Sequence, residues 1–548
     1  SYTMQFGNFI WGRLEKKYRT VSKRPDSIWV ILLLLAAVII FTIDLGDLPL
    51  RDWDEGTVAQ VAREISEAPF NSLRWLYPTL GGVPYHNKPP LMHILIASCY
   101  SLWGVHEWTA RLPGAVLTAV SVPLLYFIGR EIFHQRTAAI YSALIYVTML
   151  PVLRHGRLAM LDGASVCFFM VMMLCLLRSR RNLRYCLGVG IGLGLICLTK
   201  GILGVLFAAI AFAFLFWDTP RLITSVYMWV AIIIGCLPVG LWYAAQWLHY
   251  GNTFTNVGMV DQSLSRIWEP VEGHSQPIWY YPLEIVKYTH PWLLFLFASF
   301  RLTWQNRNLS WAKLVLVWSC LYLVAISIMT TKLPWYVFPI YPSLALALGA
   351  KAAEIESTPL FSSYPRLWVT GLGILAVAAT GGSIYYSFAK PVHPDLQLIF
   401  AAVAGTMALG TILTERGDAQ FLKVLLWGTY ISLLLFVKSN YWVWELNENY
   451  PVKPVAQMIQ RANPKGKIYS FSPYHRPSLD FYSNRVIPAT NQPNVIEQYW
   501  RQSKKQQPYV LLDESELAKL KLDAAEIVAR TEAGNQVFLL ITKSTSKI

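Results

Sequence analysis

The sequence predicts an α-helical polytopic membrane protein that carries a small α/β domain at its C-terminal end. Of the 548 residues, 54% are hydrophobic and 14% are charged, whereas soluble domains carry about 25% charged residues. The apolar residues form long runs as far as residue 437, and beyond that point short apolar segments alternate with charged ones. This composition excludes a soluble globular protein and a disordered one.

A helix needs about 20 apolar residues to cross a bilayer. The first such run covers residues 28–43, and the basic residues before it predict that residues 1–27 lie in the cytoplasm. A cleaved signal peptide is the alternative. The run is long for one, and residues 42–53 contain no small-residue cleavage site, so we interpret it as a retained helix. The basic residues are Arg13, Lys16, Lys17, Arg19, Lys23 and Arg24.

The first predicted outside loop covers residues 44–111 and contains two helices that do not cross the membrane. Residues 54–67 carry apolar side chains at helical spacing on one face, as in an amphipathic surface helix. Residues 91–104 are apolar but too short to span, which predicts a helix in the membrane interface. Counting them as a span would move the arginine-rich loop at 178–184 outside, against the positive-inside rule.

Further apolar runs follow, and with the first they give about 13 predicted spans. Basic residues border alternate loops, as expected of cytoplasmic loops, and the odd count places the C-terminus outside. We therefore predict a transmembrane domain over residues 28–437 with outside loops at 44–111, 154–163 and 244–281. The later runs are 112–129, 137–153, 164–178, 185–199, 201–217, 222–243, 282–300, 312–330, 335–350, 366–387, 395–413 and 421–437.

Residues 438–548 are predicted to form an extracytoplasmic α/β domain. Helical patterns such as VAQMIQRA (455–462) alternate there with strand patterns such as KIYSFS (467–472), YVLLD (509–513) and QVFLLITK (536–543). This alternation is typical of a small α/β fold.

Two general features of the sequence do not indicate a further function. The net charge of +15 would point to nucleic acid in a soluble protein. Here the basic residues cluster beside apolar runs, so we expect no nucleic-acid partner. The seven cysteines lie in or beside apolar runs without metal or disulfide spacing, which indicates packing residues.

Ionisable residues gather in the predicted outside loops rather than within the spans. A proton-coupled transporter or a channel would need buried carboxylates along its path, and the span centres have few. Carboxylates can accept a proton from an attacking hydroxyl, and Lys and Arg can bind a leaving phosphate. Each residue alone also fits a structural role: a solvated pair for Asp54 and Glu55, a helix cap for Asp162, and interface anchors for the lysines.

The motifs taken together resemble the GT-C glycosyltransferases that use polyprenyl-phosphate sugars. In pattern they are most similar to the lipid A 4-amino-4-deoxy-L-arabinose transferases and the protein O-mannosyltransferases. The resemblance implies a GT-C fold over residues 28–350. It rests on RDWDEGTVAQVARE (51–64), GGVPYHNKPPLMHIL (81–95), TARLPGAV (109–116), RLAMLDG (157–163), LTKG (198–201), QSLSRIW (262–268), GHSQPIWYYP (273–282), THPW (289–292) and TTKLPWYVFPIYPSLALALG (330–349).

The resemblance also implies roles for individual residues. The catalytic acidic residues of such enzymes match Asp54, with Glu55 beside it, and Asp162. The donor phosphate-binding residues match Lys88, Arg266, Lys200, Lys332 and Tyr336, and the residues expected to contact substrate are Arg157, Tyr85 and Trp279. His274 is the candidate ligand for a divalent metal, zinc or magnesium.

The function implied is inverting transfer of a sugar from polyprenyl monophosphate, such as undecaprenyl phosphate, to lipid A or another envelope glycan or lipid. A protein O-mannosyltransferase is the alternative among enzymes, and a lipid-linked glycan transporter is the alternative in another class. We expect a monomer in the bacterial cytoplasmic membrane, with its active site and C-terminus on the periplasmic side.

Overall fold

The computed structural model describes residues 26–257, 275–443, 452–503 and 505–545. It is mostly helical as far as Val437, and a five-stranded sheet lies between Ile468 and Lys543. The predicted class, a helical membrane protein with a small α/β region at its C-terminal end, is confirmed. Arg266 and His274 lie outside the described residues.

Seven helices in the described residues are long and apolar enough to cross a membrane, or eight if the bent pair Arg136–Val147 and Leu150–Arg157 is one span. The predicted count of about 13 spans includes shorter runs, and it stays a prediction. The shorter apolar helices are Asp26–Thr42, Leu91–Trp103, Leu203–Asp218 and Phe421–Val437. The long helices are Glu107–Ile132, Asp162–Ser179, Leu183–Lys200, Val226–Tyr250, Ser310–Ile328, Arg366–Phe388 and Pro394–Glu415.

Some of the predicted spans are interrupted in the structure. Pro151, Pro291 and Pro334 lie at or beside the interruptions. Because proline has no N–H to donate, it does not continue the hydrogen bonding of a preceding helix. The run 137–153 is bent by 59° between Arg136–Val147 and Leu150–Arg157. The run 282–300 is divided into Tyr280–Tyr288 and Leu293–Gln305, and the run 335–350 begins in the 3₁₀ turn Pro334–Ile340 before helix Tyr341–Glu356.

The predicted interface helix is present as Leu91–Trp103, with 13 residues. It packs on helix Asp54–Glu67, where the Tyr100 hydroxyl donates a hydrogen bond to the Ala59 carbonyl at 3.1 Å. Its other face is open, and Leu102 is exposed. A short helix with one buried and one exposed apolar face fits the membrane interface better than a crossing.

Ion pairs join several loops at one end of the bundle. Asp26 lies 3.1 Å from Arg130 and 3.4 Å from Arg136. Asp218 lies 3.2 Å from Arg180 and 3.7 Å from Lys313. The charge pattern assigns these loops to the same side, and the ion pairs bring them together; the order of the crossings stays a prediction.

Small residues allow helix Cys186–Lys200 to approach helix Val226–Tyr250 closely. A Cβ added at Gly190 would lie 1.9 Å from the Ala231 carbonyl oxygen, and one added at Gly235 would lie 1.9 Å from the Gly190 carbonyl oxygen. Close backbone contact at small residues is the usual way in which membrane helices pack.

The first loop and the C-terminal region contain all the strands of the described residues. Strands β1 (Thr79–Leu80) and β2 (Val83–Pro84) form an antiparallel hairpin in the first loop. The C-terminal sheet has the order β4-β3-β5-β7-β6, in which β3 is parallel to β4 and to β5, and β7 is antiparallel to β5 and β6. The five strands are β3 (Ile468–Phe471), β4 (Ala489–Thr490), β5 (Tyr509–Asp513), β6 (Ala525–Ala533) and β7 (Gln536–Lys543).

Helices cover both faces of this sheet. Leu511 and Leu540 point to one face and pack with helix Val452–Ala462, whereas Val510 and Leu512 point to the other and pack with helix Pro493–Gln502. Alternation of buried residues along a strand follows from the period of two in β-structure. The remaining helical elements are Pro477–Ser483, the short helix Asn252–Phe254, and the 3₁₀ turns Phe70–Ser72, Leu183–Tyr185, Pro220–Leu222 and Glu514–Lys519.

The C-terminal region sits on the first loop through helix Pro477–Ser483. A Cβ added at Gly56 would lie 2.9 Å from the Cβ and the backbone N of Ser478, so only glycine allows the two helices to touch here. Asp52 accepts hydrogen bonds from Arg476 and Ser478. Arg63 donates to the Phe481 carbonyl at 2.6 Å.

Candidate active site

Glu55 forms a buried ion pair with Arg111. Its side chain is fully buried, and Arg111 donates to it twice, at 2.8 and 2.9 Å. The backbone N–H groups of Ala159 and Arg51 donate to it at 2.7 and 3.1 Å. Burial would raise the pKa of Glu55, but the charge of Arg111 and these hydrogen bonds lower it overall. Each Glu55 oxygen already accepts two hydrogen bonds, which is the environment of a residue that holds the scaffold, and the catalytic role expected for Glu55 stays a prediction.

Asp54 begins the same helix but remains partly exposed. Its side chain is 20% exposed and forms an ion pair with Arg51 at 3.1 Å. The Arg51 guanidinium lies 6.0 Å from the centre of the Trp335 ring. This places Asp54 near the turn that carries the K-L-P motif, with a carboxylate that solvent can reach.

Asp162, Lys200 and Tyr336 meet, although they come from three separate motifs. Lys200 Nζ lies 2.5 Å from Asp162 Oδ1 and 5.6 Å from the centre of the Tyr336 ring. The side chains of Asp162 and Lys200 are 6% and 11% exposed, so both are largely shielded from solvent. The expectation that these residues share a site agrees with this geometry.

Lys88 and Lys200 line one small cavity. Asn87, Trp242 and Phe254 form part of its wall. The cavity measures only about 10 Å³, about the size of one water molecule, so it marks where two cations approach each other rather than a space that already accommodates a phosphate. The sequence motifs do not include Trp242 or Phe254. Only the aromatic character of these two residues near the end of a predicted span could have indicated a place in the cavity wall.

Lys332 lies deeper than the other lysines. It is 4% exposed, and its Nζ donates to the Met329 carbonyl at 2.5 Å. Burial lowers the pKa of Lys332. It begins the turn that continues to Tyr336, and the neighbouring Thr331 pairs with Ser275, where the described chain resumes.

The three residues expected to contact substrate lie in different surroundings. Arg157 is fully buried and donates to the Ile40 and Ile43 carbonyls at 2.9 and 2.7 Å, so it caps the first helix instead. Tyr85 is buried in a cluster with Val61, which leaves little of it for substrate. Trp279 is 67% exposed and stays available as an interface anchor or a sugar-stacking residue.

A group of two buried arginines, one glutamate and one aromatic ring, the Arg111 cluster, lies beside this site and was not predicted. It consists of Glu55, Arg111, Trp442 and Arg157. The Trp442 ring lies 4.9 Å from the Arg111 guanidinium and 4.4 Å from that of Arg157. Arg111 also donates to the carbonyls of Leu45, Leu48 and Pro49. The only sequence signal for this cluster is that Arg111 lies at the end of a predicted span. The residues that it contacts are far away in the sequence, so the sequence does not indicate them.

His274, the candidate metal ligand, lies outside the described residues, so the metal expected there stays a prediction. Among residues 26–257, 275–443, 452–503 and 505–545, no group of three His, Cys, Asp or Glu could hold a metal ion. The residue before Lys88 is Asn87, whose side chain is a neutral amide.

Comparison with known proteins agrees with the motifs. A family profile described as dolichyl-phosphate-mannose-protein mannosyltransferase matches residues 87–243. The undecaprenyl phosphate-alpha-4-amino-4-deoxy-L-arabinose arabinosyl transferase 1 of Pseudomonas fluorescens is 27% identical over 397 residues, which cover 69% of this chain and 70% of that protein. The corresponding transferase of Aeromonas salmonicida is 25% identical over 395 residues, which cover 68% of this chain and 70% of that protein.

A solved structure extends the similarity to almost the whole chain. ArnT from Cupriavidus metallidurans, crystallised with undecaprenyl phosphate, superposes with a TM-score of 0.75 at 18% identity, covering 95% of this chain and 99% of that one. The similarity includes the C-terminal region, which contains none of the motifs on which the resemblance rests. The chain thus has the GT-C fold and resembles, as its motifs predict, the polyprenyl-phosphate-sugar glycosyltransferases of the aminoarabinose and protein mannosyltransferase type.

Proposed function

We propose that this chain is an inverting glycosyltransferase that moves a sugar from a polyprenyl monophosphate donor to an acceptor at the membrane surface. The observation that carries the proposal is the meeting of Asp162, Lys200 and Tyr336, with Lys88 lining the same cavity as Lys200. The sequence relatives, named as undecaprenyl-phosphate sugar transferases, support this donor class.

The cations bind the donor phosphate. Lys88 and Lys200 face one cavity, and Lys332 begins the adjoining turn. Their charges stabilise the negative charge that grows on the phosphate as the bond to the sugar breaks. Asp162 holds Lys200 in place through the 2.5 Å contact and so positions that cation.

Asp54 acts as the general base. It takes the proton of the acceptor hydroxyl while that oxygen attacks the anomeric carbon from the face opposite the phosphate. The phosphate leaves with the electron pair of the broken bond as polyprenyl phosphate, and the configuration at the anomeric carbon inverts. The 20% exposure of the Asp54 side chain allows an acceptor to approach it.

The site faces the periplasm in this proposal. The charge distribution supports it, because the loops joined by Asp26, Asp218 and their arginine partners are rich in basic residues, as cytoplasmic loops are. We place the boundaries of the transmembrane domain at residues 28 and 437 and those of the periplasmic α/β domain at 438 and 548.

The acceptor is lipid A or another envelope glycan or lipid. Relatives named as aminoarabinose transferases match over about two thirds of the chain and favour this choice. The match of residues 87–243 to the protein mannosyltransferase profile favours a protein acceptor as the second candidate.

Donor turnover tests the proposal. Purified protein is incubated with a panel of undecaprenyl monophosphate sugars and crude envelope lipids, and free undecaprenyl phosphate is followed by mass spectrometry. We expect release by the wild type and a loss of about 10²–10⁴-fold in Asp54→Asn, the range for removal of a general base.

The matched control is Glu67→Gln, which makes the same change on an exposed residue at the other end of the helix. It should turn over at the wild-type rate. Release that is equal in Asp54→Asn and the wild type would remove Asp54 as the base. No release with any donor, from folded protein, would contradict the proposed function.

A further inference from the structure

A second cavity, of about 590 Å³, lies in the C-terminal region. Residues at or just after the ends of the parallel strands β3, β4 and β5 line it, including Ser472, Asn491 and Asp513. The chain passes from β3 to β4 on one side and then returns to β5 on the other side of β3. In open α/β sheets, ligands bind at the carboxyl ends of the strands where the connections diverge in this way.

The charges of the lining are balanced. Arg476 and Lys519 are matched by Asp513 and Glu516. Lys519 forms an ion pair with Glu516 at 2.9 Å, and Arg476 pairs with Asp52 outside the cavity. Because the charged residues of the lining sum to zero, the cavity suits an uncharged polar molecule better than a phosphate.

The remaining lining offers hydrogen bonds and an aromatic face. Asn491 and Gln536 are exposed residues of this lining, so their amide groups can reach a ligand. Tyr474 is 62% exposed at the rim. Amide groups beside an exposed aromatic ring suit a saccharide, whose hydroxyls hydrogen-bond at the edge of the ring and whose C–H face stacks on it.

The cavity adjoins the loop that carries the proposed base. Arg476, in its wall, forms an ion pair with Asp52 and lies 5.7 Å from the centre of the Trp53 ring. The Tyr474 ring lies edge-on to Trp53, with a centre-to-centre distance of 5.8 Å. Asp52 and Trp53 directly precede Asp54 in the chain.

We infer that this cavity binds a neutral saccharide unit of the acceptor and so holds the acceptor beside the Asp54 loop. The role as acceptor site rests on the proposed transferase function. The binding of a neutral saccharide rests on the cavity alone.

Saturation-transfer NMR on the full chain in detergent tests the binding. The neutral probes are N-acetylglucosamine, glucose and rhamnose, and the anionic probe is glucosamine 1-phosphate. We expect saturation of at least one neutral sugar, reduced about fivefold or more in Asn491→Ala/Gln536→Ala, where two hydrogen-bonding groups are lost. The control Gln457→Ala lies in a separate depression beside helix Val452–Ala462 and should bind as the wild type does.

Absence of saturation for every neutral sugar, or binding of glucosamine 1-phosphate alone, would overturn the inference. Equal binding by the double variant and the wild type would also overturn it, because the sugar would then lie elsewhere.

Donor turnover separates this inference from the proposed function. In the double variant we expect kcat at saturating acceptor and the KM for the donor to match the wild type, while the KM for crude envelope acceptor rises about fivefold or more. An unchanged KM would overturn the acceptor role. If the wild type binds a neutral sugar but turns over no donor, the saccharide site stands and the transferase function fails.

Discussion

Two ion pairs at the same end of the helical bundle differ in what surrounds them. Glu55 and Arg111 are 0% exposed, and every Glu55 oxygen accepts two hydrogen bonds from Arg111 and backbone N–H groups. Asp162 and Lys200 keep 6% and 11% exposure, and Lys200 lines a cavity with Lys88. A buried charge with all its hydrogen bonds made stabilises the scaffold, whereas one beside a cavity can still act on a ligand.

The largest effect should come from breaking the scaffold pair. We expect Glu55→Gln to lower the free energy of unfolding by about 3–5 kcal/mol, because Arg111 would remain buried without its counter-charge. Thermal unfolding in detergent measures this loss. Arg366→Gln, which breaks an exposed pair with Glu415, should change stability by less than about 1 kcal/mol. A Glu55→Gln protein that is as stable as the wild type and only inactive would instead assign Glu55 to chemistry.

The site pair should affect donor binding more than folding. We expect Lys200→Met to raise the KM for the donor about 10–100-fold, since a hydrogen bond to a charged group contributes about 1.5–3 kcal/mol. Lys200→Arg should recover part of the loss because it keeps the charge. Lys313→Met, in an ion pair at the opposite end of the bundle, is the control. Equal donor KM in Lys200→Met and wild type would remove Lys200 from the phosphate site.

A smaller effect is expected where the C-terminal region meets the first loop. Gly56→Ala would place a Cβ 2.9 Å from Ser478, and overpacking of this kind costs about 1–3 kcal/mol. Hydrogen exchange of helix Pro477–Ser483 should become faster. Gly240→Ala, whose Cβ would meet nothing within 4 Å, should leave it unchanged. Unaltered hydrogen exchange of helix Pro477–Ser483 in Gly56→Ala would show that this helix can move away from Gly56 without a loss of stability.

The smallest effect should depend on pH. Burial opposes the charge on His475, but the hydrogen bond from its Nε2 to Asp480, at 2.6 Å, and the charge of that carboxylate raise its pKa overall. Protonated His475 therefore stabilises the fold. This contribution is complete at pH values below the pKa of about 6.5 that the histidine has in the unfolded chain. This contribution is lost as the pH rises through the higher folded pKa.

Unfolding of the wild type and of His475→Gln, compared between pH 6 and pH 8, measures this contribution. The wild type should lose the larger share of its stability on going to the higher pH. An identical pH dependence in the two proteins would contradict the role of His475.

The Asp54–Glu55 pair shows how far the sequence predicts the site. The motif around these two residues indicated which part of the chain contributes to the site. The motifs that contain Asp162, Lys200 and Tyr336 indicated three further residues, and these lie together in the structure. Which of two adjacent acidic residues is buried depends on helix phase and on Arg111, a partner 56 residues away. The surroundings of Arg157 and Tyr85 could not be predicted for the same reason, because they come from distant segments.

The sequence by itself determined the membrane class, the short interface helix, the site motifs and the α/β character of the C-terminal region. These follow from local run length, periodicity and charge, which neighbouring residues set. Only the tertiary structure decided that Glu55 supports the scaffold, that Trp442 lies between two arginines, and that the C-terminal cavity adjoins the Asp54 loop. Such contacts join residues far apart in the chain, so their energies depend on packing that no local pattern encodes.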